Sequence, residues 1–201
     1  MRRFLSLFVL LALAWVVAGA QKIEPVFSTE GALQYVRIQF KTGEAFLQDN
    51  GDGQQCRTAV FAKQGQTFAL IGNKDAFVLR SDKGNYVTMS SNNTHIGTTA
   101  DKSKAIELAL IASPGHAGCY EITKKDDKSK GFNQWGGAGA GHPIGLWGSS
   151  KDREGNNALT FETTAALDVY KNLPPLVPYP QNINIQEGKN LDLRNLKVIT
   201  S

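Results

Sequence analysis

Cysteine is scarce in this chain of 201 residues: there are two, Cys56 and Cys119, which excludes a framework of several disulfides. In an oxidising compartment the two could pair, or they could serve as small apolar core residues of different repeats; spacing alone leaves both readings open. Histidine is scarce too. His95, His116 and His142 are scattered among turns without the spacing of metal ligands, so neither a metal centre nor a cofactor is expected. Neither cysteine has a base partner in the sequence that would make it a nucleophile.

Charge of one sign is also lacking. There are 22 basic and 18 acidic side chains, and two of the basic ones, Arg2 and Arg3, stand at the extreme N-terminus. Without them the balance is +2, and lysines alternate with acids, as in Lys124-Lys125-Asp126-Asp127-Lys128, which reads as a solvated hairpin tip. No nucleic-acid footprint is present. After the N-terminus no long apolar run occurs, so no later membrane span is expected.

The one apolar run that does occur, Leu7 to Ala18, follows Arg2 and Arg3 and leads into Ala18-Gly19-Ala20. That order of charge, apolar stretch and small residues is a cleavable export signal over residues 1–20, cut after Ala20 to leave Gln21 first. A membrane anchor is the competing reading, and the run is shorter than the ~20 residues that span a bilayer. The mature protein is therefore expected to be secreted or periplasmic.

What the rest of the chain has is a pattern repeated three times. An apolar pair opens each unit: Val36 and Ile38, Phe77 and Leu79, Tyr120 and Ile122. A turn bearing Gly43, Gly84 or Gly131 leads to a second strand at Phe46-Leu47-Gln48, Tyr86-Val87-Thr88 and Phe132-Asn133-Gln134. A closing apolar strand follows at Phe68-Ala69-Leu70, Ile106-Glu107-Leu108 and Leu159-Thr160-Phe161, and the wider last spacing marks an insertion in the third unit.

Short alternating strands with turn residues between them, and no convincing helix, predict an all-β domain over residues 30–165. One such unit cannot bury its own apolar face, so three must share a core. Three units of about four strands each make a β-trefoil, a closed barrel capped by hairpins, and closure removes exposed sheet edges. A β-sandwich is the alternative, but a sandwich does not require a threefold repeat.

Beyond this domain, four prolines crowd into Pro174-Pro175-Leu176-Val177-Pro178-Tyr179-Pro180, so residues 166–180 read as a linker. Ile183 and Ile185 then alternate with polar residues, Glu187-Gly188-Lys189 makes a turn, and Leu191-Asp192-Leu193 follows. This stretch resembles the opening of the non-catalytic α/β domain of family 20 β-N-acetylhexosaminidases. The resemblance implies that residues 181–201 are the truncated start of such a domain. It also implies a parent glycoside hydrolase that uses the substrate's acetamido group as nucleophile. The catalytic carboxylates of that family lie in a barrel further on, so no catalytic residue is expected here.

The third unit carries the candidate site. Ile144-Gly145-Leu146-Trp147, then Asn156-Asn157, then Leu159-Thr160-Phe161, resembles the subdomain pattern of ricin-type carbohydrate-binding trefoils. An indole face packs on the apolar face of a pyranose while amides meet its hydroxyls. The resemblance makes Trp147 the stacking platform and Asn156 or Asn157 its polar partner. Gln134 is the nearest match to the family's aspartate, and the closing Gln-x-Trp signature is incomplete. Trp147 has a structural reading as well, and Trp135 is either a second wall or packing beneath the hairpin. The other two repeats lack tryptophan, so a single site is expected.

Other motifs read as local structure. Gly136-Gly137-Ala138-Gly139-Ala140-Gly141-His142-Pro143 lacks the lysine and helix of a phosphate loop, and is expected as a flexible hairpin insertion able to close over Trp147. Asp49-Asn50-Gly51-Asp52-Gly53 lacks the late glutamate of a calcium loop and reads as a hairpin turn. Asn92-Asn93-Thr94 fits a glycosylation acceptor. The expected protein is an exported glycan-binding trefoil joined to the start of a hexosaminidase, its partner a glycan, with N-acetylhexosamine-containing glycans as the candidates. A ligand-free structural trefoil and a trefoil protease inhibitor are the alternatives.

Overall fold

The structure is a computed structural model, and it describes residues 22–60, 64–91 and 93–164. The segments expected as an export signal, a proline-rich linker and a hexosaminidase-like start, together with Asn92 of the acceptor motif, lie outside the described residues.

Fourteen strands form, and no α-helix occurs among the described residues. Two short strands come first, β1 (Lys22–Ile23) and β2 (Phe27–Ser28). The first unit is β3 (Tyr35–Phe40), β4 (Phe46–Gln48), β5 (Arg57–Ala59) and β6 (Thr67–Asn73). The second is β7 (Ala76–Ser81), β8 (Tyr86–Met89), β9 (Ile96–Thr99) and β10 (Leu108–Ala112). The third is β11 (Tyr120–Lys124), β12 (Lys130–Gln134), β13 (Ile144–Gly148) and β14 (Leu159–Glu162).

The first and last strands of each unit build a barrel in the order β14, β11, β10, β7, β6, β3, and β14 pairs with β3 to close it. The middle strands form three hairpins, β4 with β5, β8 with β9 and β12 with β13. This is a β-trefoil, as the threefold pattern predicts. The short strands dress the barrel: β1 runs antiparallel to β14 and β2 parallel to β6.

Alternation along each barrel strand sends one face inward. Ile38 lies opposite Phe161, Leu79 opposite Leu70 and Ile122 opposite Leu110, giving a ring of six buried side chains around the interior. Ile38, Leu79 and Ile122 thus hold equivalent inward positions. At the hairpin end the Cys56 N–H donates to the Ile96 carbonyl and the Ile144 N–H to the Cys56 carbonyl. Those three residues, all fully buried, meet where the hairpins converge.

Pairing register corrects two details of the sequence pattern. Val36 pairs with Phe68, Phe77 with Leu108 and Tyr120 with Leu159, so the second unit closes on Leu108, not Ile106. Ile106 instead donates its N–H to the Val87 carbonyl and packs on the core from outside the strand. Likewise Gln39, Arg80 and Thr123 pair with Phe46, Tyr86 and Gly131, which makes Phe132 the counterpart of Leu47 and Val87. A shift of one residue matters because it exchanges the two faces of a strand.

Cys56 and Cys119 are both buried and unpaired, which selects the core reading over the disulfide. Burial, with the Asp49 carboxylate nearby, pushes the Cys56 thiol well above its ordinary range. Asp49 is a structural centre rather than a cation ligand. Its carboxylate accepts from the Gly51 N–H, the Ser81 and Thr98 hydroxyls and the Asn85 amide at 2.6–3.0 Å.

Candidate functional site

The third unit holds an open cavity of about 390 Å³ between the end of β12, the exposed side of β13 and the loop that follows it. Four of the five sequence-predicted residues line it: Gln134, Trp135, Trp147 and Asn156. Asn157 does not.

Trp147 projects from β13 and is 43% exposed, a large value for an indole with a pocket beside it. Trp135 stands edge-on to it, ring centroids 6.0 Å apart at 79°. Gly145 explains the position of Trp135: a Cβ there would lie 2.5 Å from the indole Cε3, so only glycine admits the ring against the strand. His95 of the second unit meets Trp135 edge-on from the other side, centroids 5.5 Å apart. Trp135 is therefore both packing on β13 and the inner wall of the cavity, while Trp147 keeps an open face. Lys151 places its ammonium 6.0 Å from the Trp147 ring centroid.

The opposite wall is a loop folded by one carboxylate. Asp152 accepts the Asn156 N–H on one oxygen at 3.0 Å and the Asn157 N–H on the other at 2.8 Å. Asn157 then turns inward and is fully buried. Its amide nitrogen donates to the Trp147 carbonyl at 2.9 Å, and its oxygen accepts from Asn133 at 2.7 Å. Its role is to pin β12 and the loop to the backbone of Trp147, which corrects the reading of Asn157 as a sugar ligand. Asn156 lines the cavity, but its side-chain oxygen is buried and has no hydrogen-bond partner.

Gln134 is also engaged. Its amide nitrogen donates to the Thr42 carbonyl at 2.7 Å, and its oxygen accepts the Gly139 N–H at 3.0 Å, so both ends of the amide are anchored in the wall. That geometry gives Gln134 a part in holding the cavity wall.

The glycine-rich loop does not fold over Trp147. The Thr58 hydroxyl donates to the Gly139 carbonyl at 2.6 Å, and the Gly141 N–H donates to the Thr58 carbonyl at 2.7 Å. Arg57 reaches the Gly141 carbonyl at 2.8 Å. The loop is thus knitted to the first unit's hairpin, and only Gly136 and Gly137 border the cavity.

Asn133, Lys151, Asp152, Arg153 and Glu154 also line the cavity, and sequence reasoning missed them. Asp152, four residues ahead of Asn156 in a loop containing Gly155, was the available signal. Register identifies the counterparts of Trp147 as Thr99 in the second unit and Ala59 in the first. A cavity of about 380 Å³ beside Thr99 is lined by Thr88, Met89 and Ser90 and contains no aromatic ring. Only the third unit offers an indole face. No group of His, Cys, Asp and Glu side chains able to hold a metal ion occurs among the described residues.

No family model matches the sequence, and no curated protein matches it either. The fold does match solved structures. A ricin B-like lectin of Macrolepiota procera, in complex with lactose, aligns at a TM-score of 0.55 and 17% identity, over 69% of this chain and 99% of the lectin. The Rhizoctonia solani agglutinin aligns at 0.55 and 14%, over 70% of this chain and 99% of the agglutinin. A mosquitocidal holotoxin also aligns at 0.55, at 13% identity over 66% of this chain, which spans only 17% of the toxin. At such identities the likeness is one of fold.

Proposed function

We propose that the protein is a glycan-binding module with one site, the cavity beside Trp147. The observation that carries this reading is the exposed indole face of Trp147 on an open cavity of about 390 Å³ that is otherwise walled mostly by polar side chains. The indole takes the apolar face of a pyranose, and polar side chains along the 151–156 loop meet its hydroxyls. Lys151, Arg153 and Glu154 on the rim supply donors and an acceptor. The lactose complex of the Macrolepiota lectin, on the same fold, supports a galactose-containing glycan as the first candidate. N-acetylhexosamine-containing glycans are the second.

The module is exported, on the strength of residues 1–20, and serves to hold a glycosidase near its substrate. The resemblance of residues 178–193 to the opening of a hexosaminidase domain supports that context. Tethering multiplies local concentration without new contacts.

The experiment is titration of the purified protein with lactose and with N-acetylglucosamine oligomers, followed by calorimetry and tryptophan fluorescence. Saturable binding that is lost in Trp147→Ala supports the reading. Absence of binding across a broad glycan array, with inhibition of a protease instead, would replace it with the inhibitor alternative.

A further inference from the structure

The cavity belongs to the third unit, yet both of its walls are tied to one turn of the first. Thr42, between β3 and β4, accepts the Gln134 side-chain N–H on its carbonyl at 2.7 Å. Its hydroxyl donates to the Glu154 carbonyl at 2.6 Å. Gln134 stands on one wall of the cavity and Glu154 on the other, so a single residue that does not line the cavity spans the two.

Fit on both flanks shows how closely the turn is seated. A Cβ at Gly155 would lie 3.0 Å from the Thr42 hydroxyl, and Gly155 has φ +83°. On the other flank a Cβ at Gly43 would lie 2.7 Å from the Cα of Gly139, and Gly43 has φ +77°. Both positions need glycine, for space and for backbone conformation. The Thr42–Gly43 turn is thus wedged between the 152–156 loop and the glycine-rich loop, which carries Gly136 and Gly137 at the cavity edge.

Threefold comparison separates this bracing from the general architecture. One residue before Thr42, the Lys41 N–H donates to the Ala158 carbonyl at 2.9 Å, and the equivalent Asp82 and Lys125 N–H groups donate to the Thr67 and Glu107 carbonyls, each at 3.0 Å. All three units make that tie, so it belongs to the barrel. The ties of Thr42 are not repeated. Its counterpart in the second unit, Lys83, sends its ammonium to the Asp49 carbonyl, and its counterpart in the third, Asp126, pairs with Lys124 inside its own turn. Among the described residues, only the unit with the exposed indole has two walls of a cavity joined in this way through a neighbouring unit.

We propose that the ligand site is composite: Thr42 of the first unit is a positioning residue that fixes the 152–156 wall against the Gln134 wall and so sets the width of the cavity beside Trp147. The inference rests on the glycan reading of that cavity, and it makes affinity depend on a residue outside the cavity lining.

Two measurements on Thr42→Val test it. Valine keeps the shape of the side chain and removes the hydroxyl that holds the Glu154 carbonyl. The Asn156 and Asn157 N–H groups, both donated to Asp152, report on the wall, and the Leu110 N–H, donated to the Lys74 carbonyl, reports on the barrel. In the ligand-free variant, hydrogen exchange at the two asparagine amides should quicken about fivefold while Leu110 keeps its protection. Lactose affinity should fall about fivefold with little change in melting temperature, and Thr42→Ser should restore both readings. Lys83→Met, the counterpart substitution in the second unit, should leave both unchanged. If Thr42→Val does not fold, Thr42→Ala removes the same hydroxyl and is read in the same way. Wild-type exchange in Thr42→Val, faster exchange with unchanged lactose affinity, or an equal effect in Lys83→Met overturns the proposal. Faster exchange in a protein whose wild type binds no lactose upholds the bracing of the wall and removes the lactose reading, so the two ideas fail separately.

Discussion

The side-chain nitrogen of Asn157 donates to the backbone carbonyl of Trp147 at 2.9 Å, from a residue that is itself fully buried. The exposed indole is therefore held from beneath, through its own backbone, by a loop ten positions further along the chain. Glu121, a buried carboxylate on β11, stands behind Asn157 at 3.5 Å and also accepts from the Ser113 hydroxyl. The two asparagines of one dipeptide thus have separate tasks: Asn156 lines the cavity and Asn157 supports it.

This division yields the first prediction. Asn157→Ala should cost roughly 1–3 kcal/mol of stability, because it strands the Asn133 amide and the Trp147 carbonyl in the interior. Thermal denaturation measures it, and the tryptophan emission should move as the indole loses its support. An unchanged melting curve would mean that the buried hydrogen bonds are replaced by water at no cost.

Trp147→Ala should behave in the opposite way. Its ring is exposed and carries no core contact, so stability should change little, while glycan affinity should drop about tenfold or more, the scale of an aromatic hot spot. Calorimetric titration with lactose, beside a melting curve of the same variant, separates binding from folding.

Gly145→Ala tests the seat of Trp135. The new Cβ would lie 2.5 Å from the indole Cε3, so the ring must be displaced, with an expected destabilisation of about 1–3 kcal/mol as for overpacking. Displacement should appear as a change in tryptophan emission and as weaker ligand binding even with Trp147 intact.

Threefold equivalence of the core has its own test. Ile38→Ala, Leu79→Ala and Ile122→Ala should each cost about 2–5 kcal/mol, since all three side chains are fully buried in the same ring. Denaturant unfolding of the three variants should give similar losses. A single variant near zero would show that its unit packs differently from the other two.

Stability should also respond to Glu162. Burial raises its pKa, and Arg37, whose guanidinium lies 4.0 Å away, only partly offsets this. A carboxyl raised in the folded state binds its proton more tightly there than in the unfolded chain. Its contribution to stability is therefore favourable below the unfolded value and is lost as pH rises through the raised one. Glu162→Gln should flatten the melting temperature across that interval, and a profile identical to wild type would assign the loss to another group.

The sequence by itself determined the architecture. Apolar pairs such as Val36 with Ile38 and Phe77 with Leu79 recur with a spacing that only a shared core can use, because no single unit buries its own face. The presence of tryptophan in the third unit alone was equally legible, and four of the five residues singled out in that unit line one cavity. Strands β5 and β9 were not: Arg57-Thr58-Ala59 and Ile96-Gly97-Thr98-Thr99 have weak alternation, and they become strands only because β4 and β8 supply partners.

What the tertiary structure alone decided is which polar groups remain free. Gln134 and Asn157 match a sugar-binding pattern in the sequence, yet their amides are bound by Thr42, Gly139, Asn133 and the Trp147 carbonyl. Thr42 lies 92 positions from Gln134 and 112 from Glu154, so no local pattern could reveal that it joins them. Hydrogen bonds of this kind depend on barrel closure, which brings the first unit against the third, and that closure is a property of the whole chain rather than of any segment.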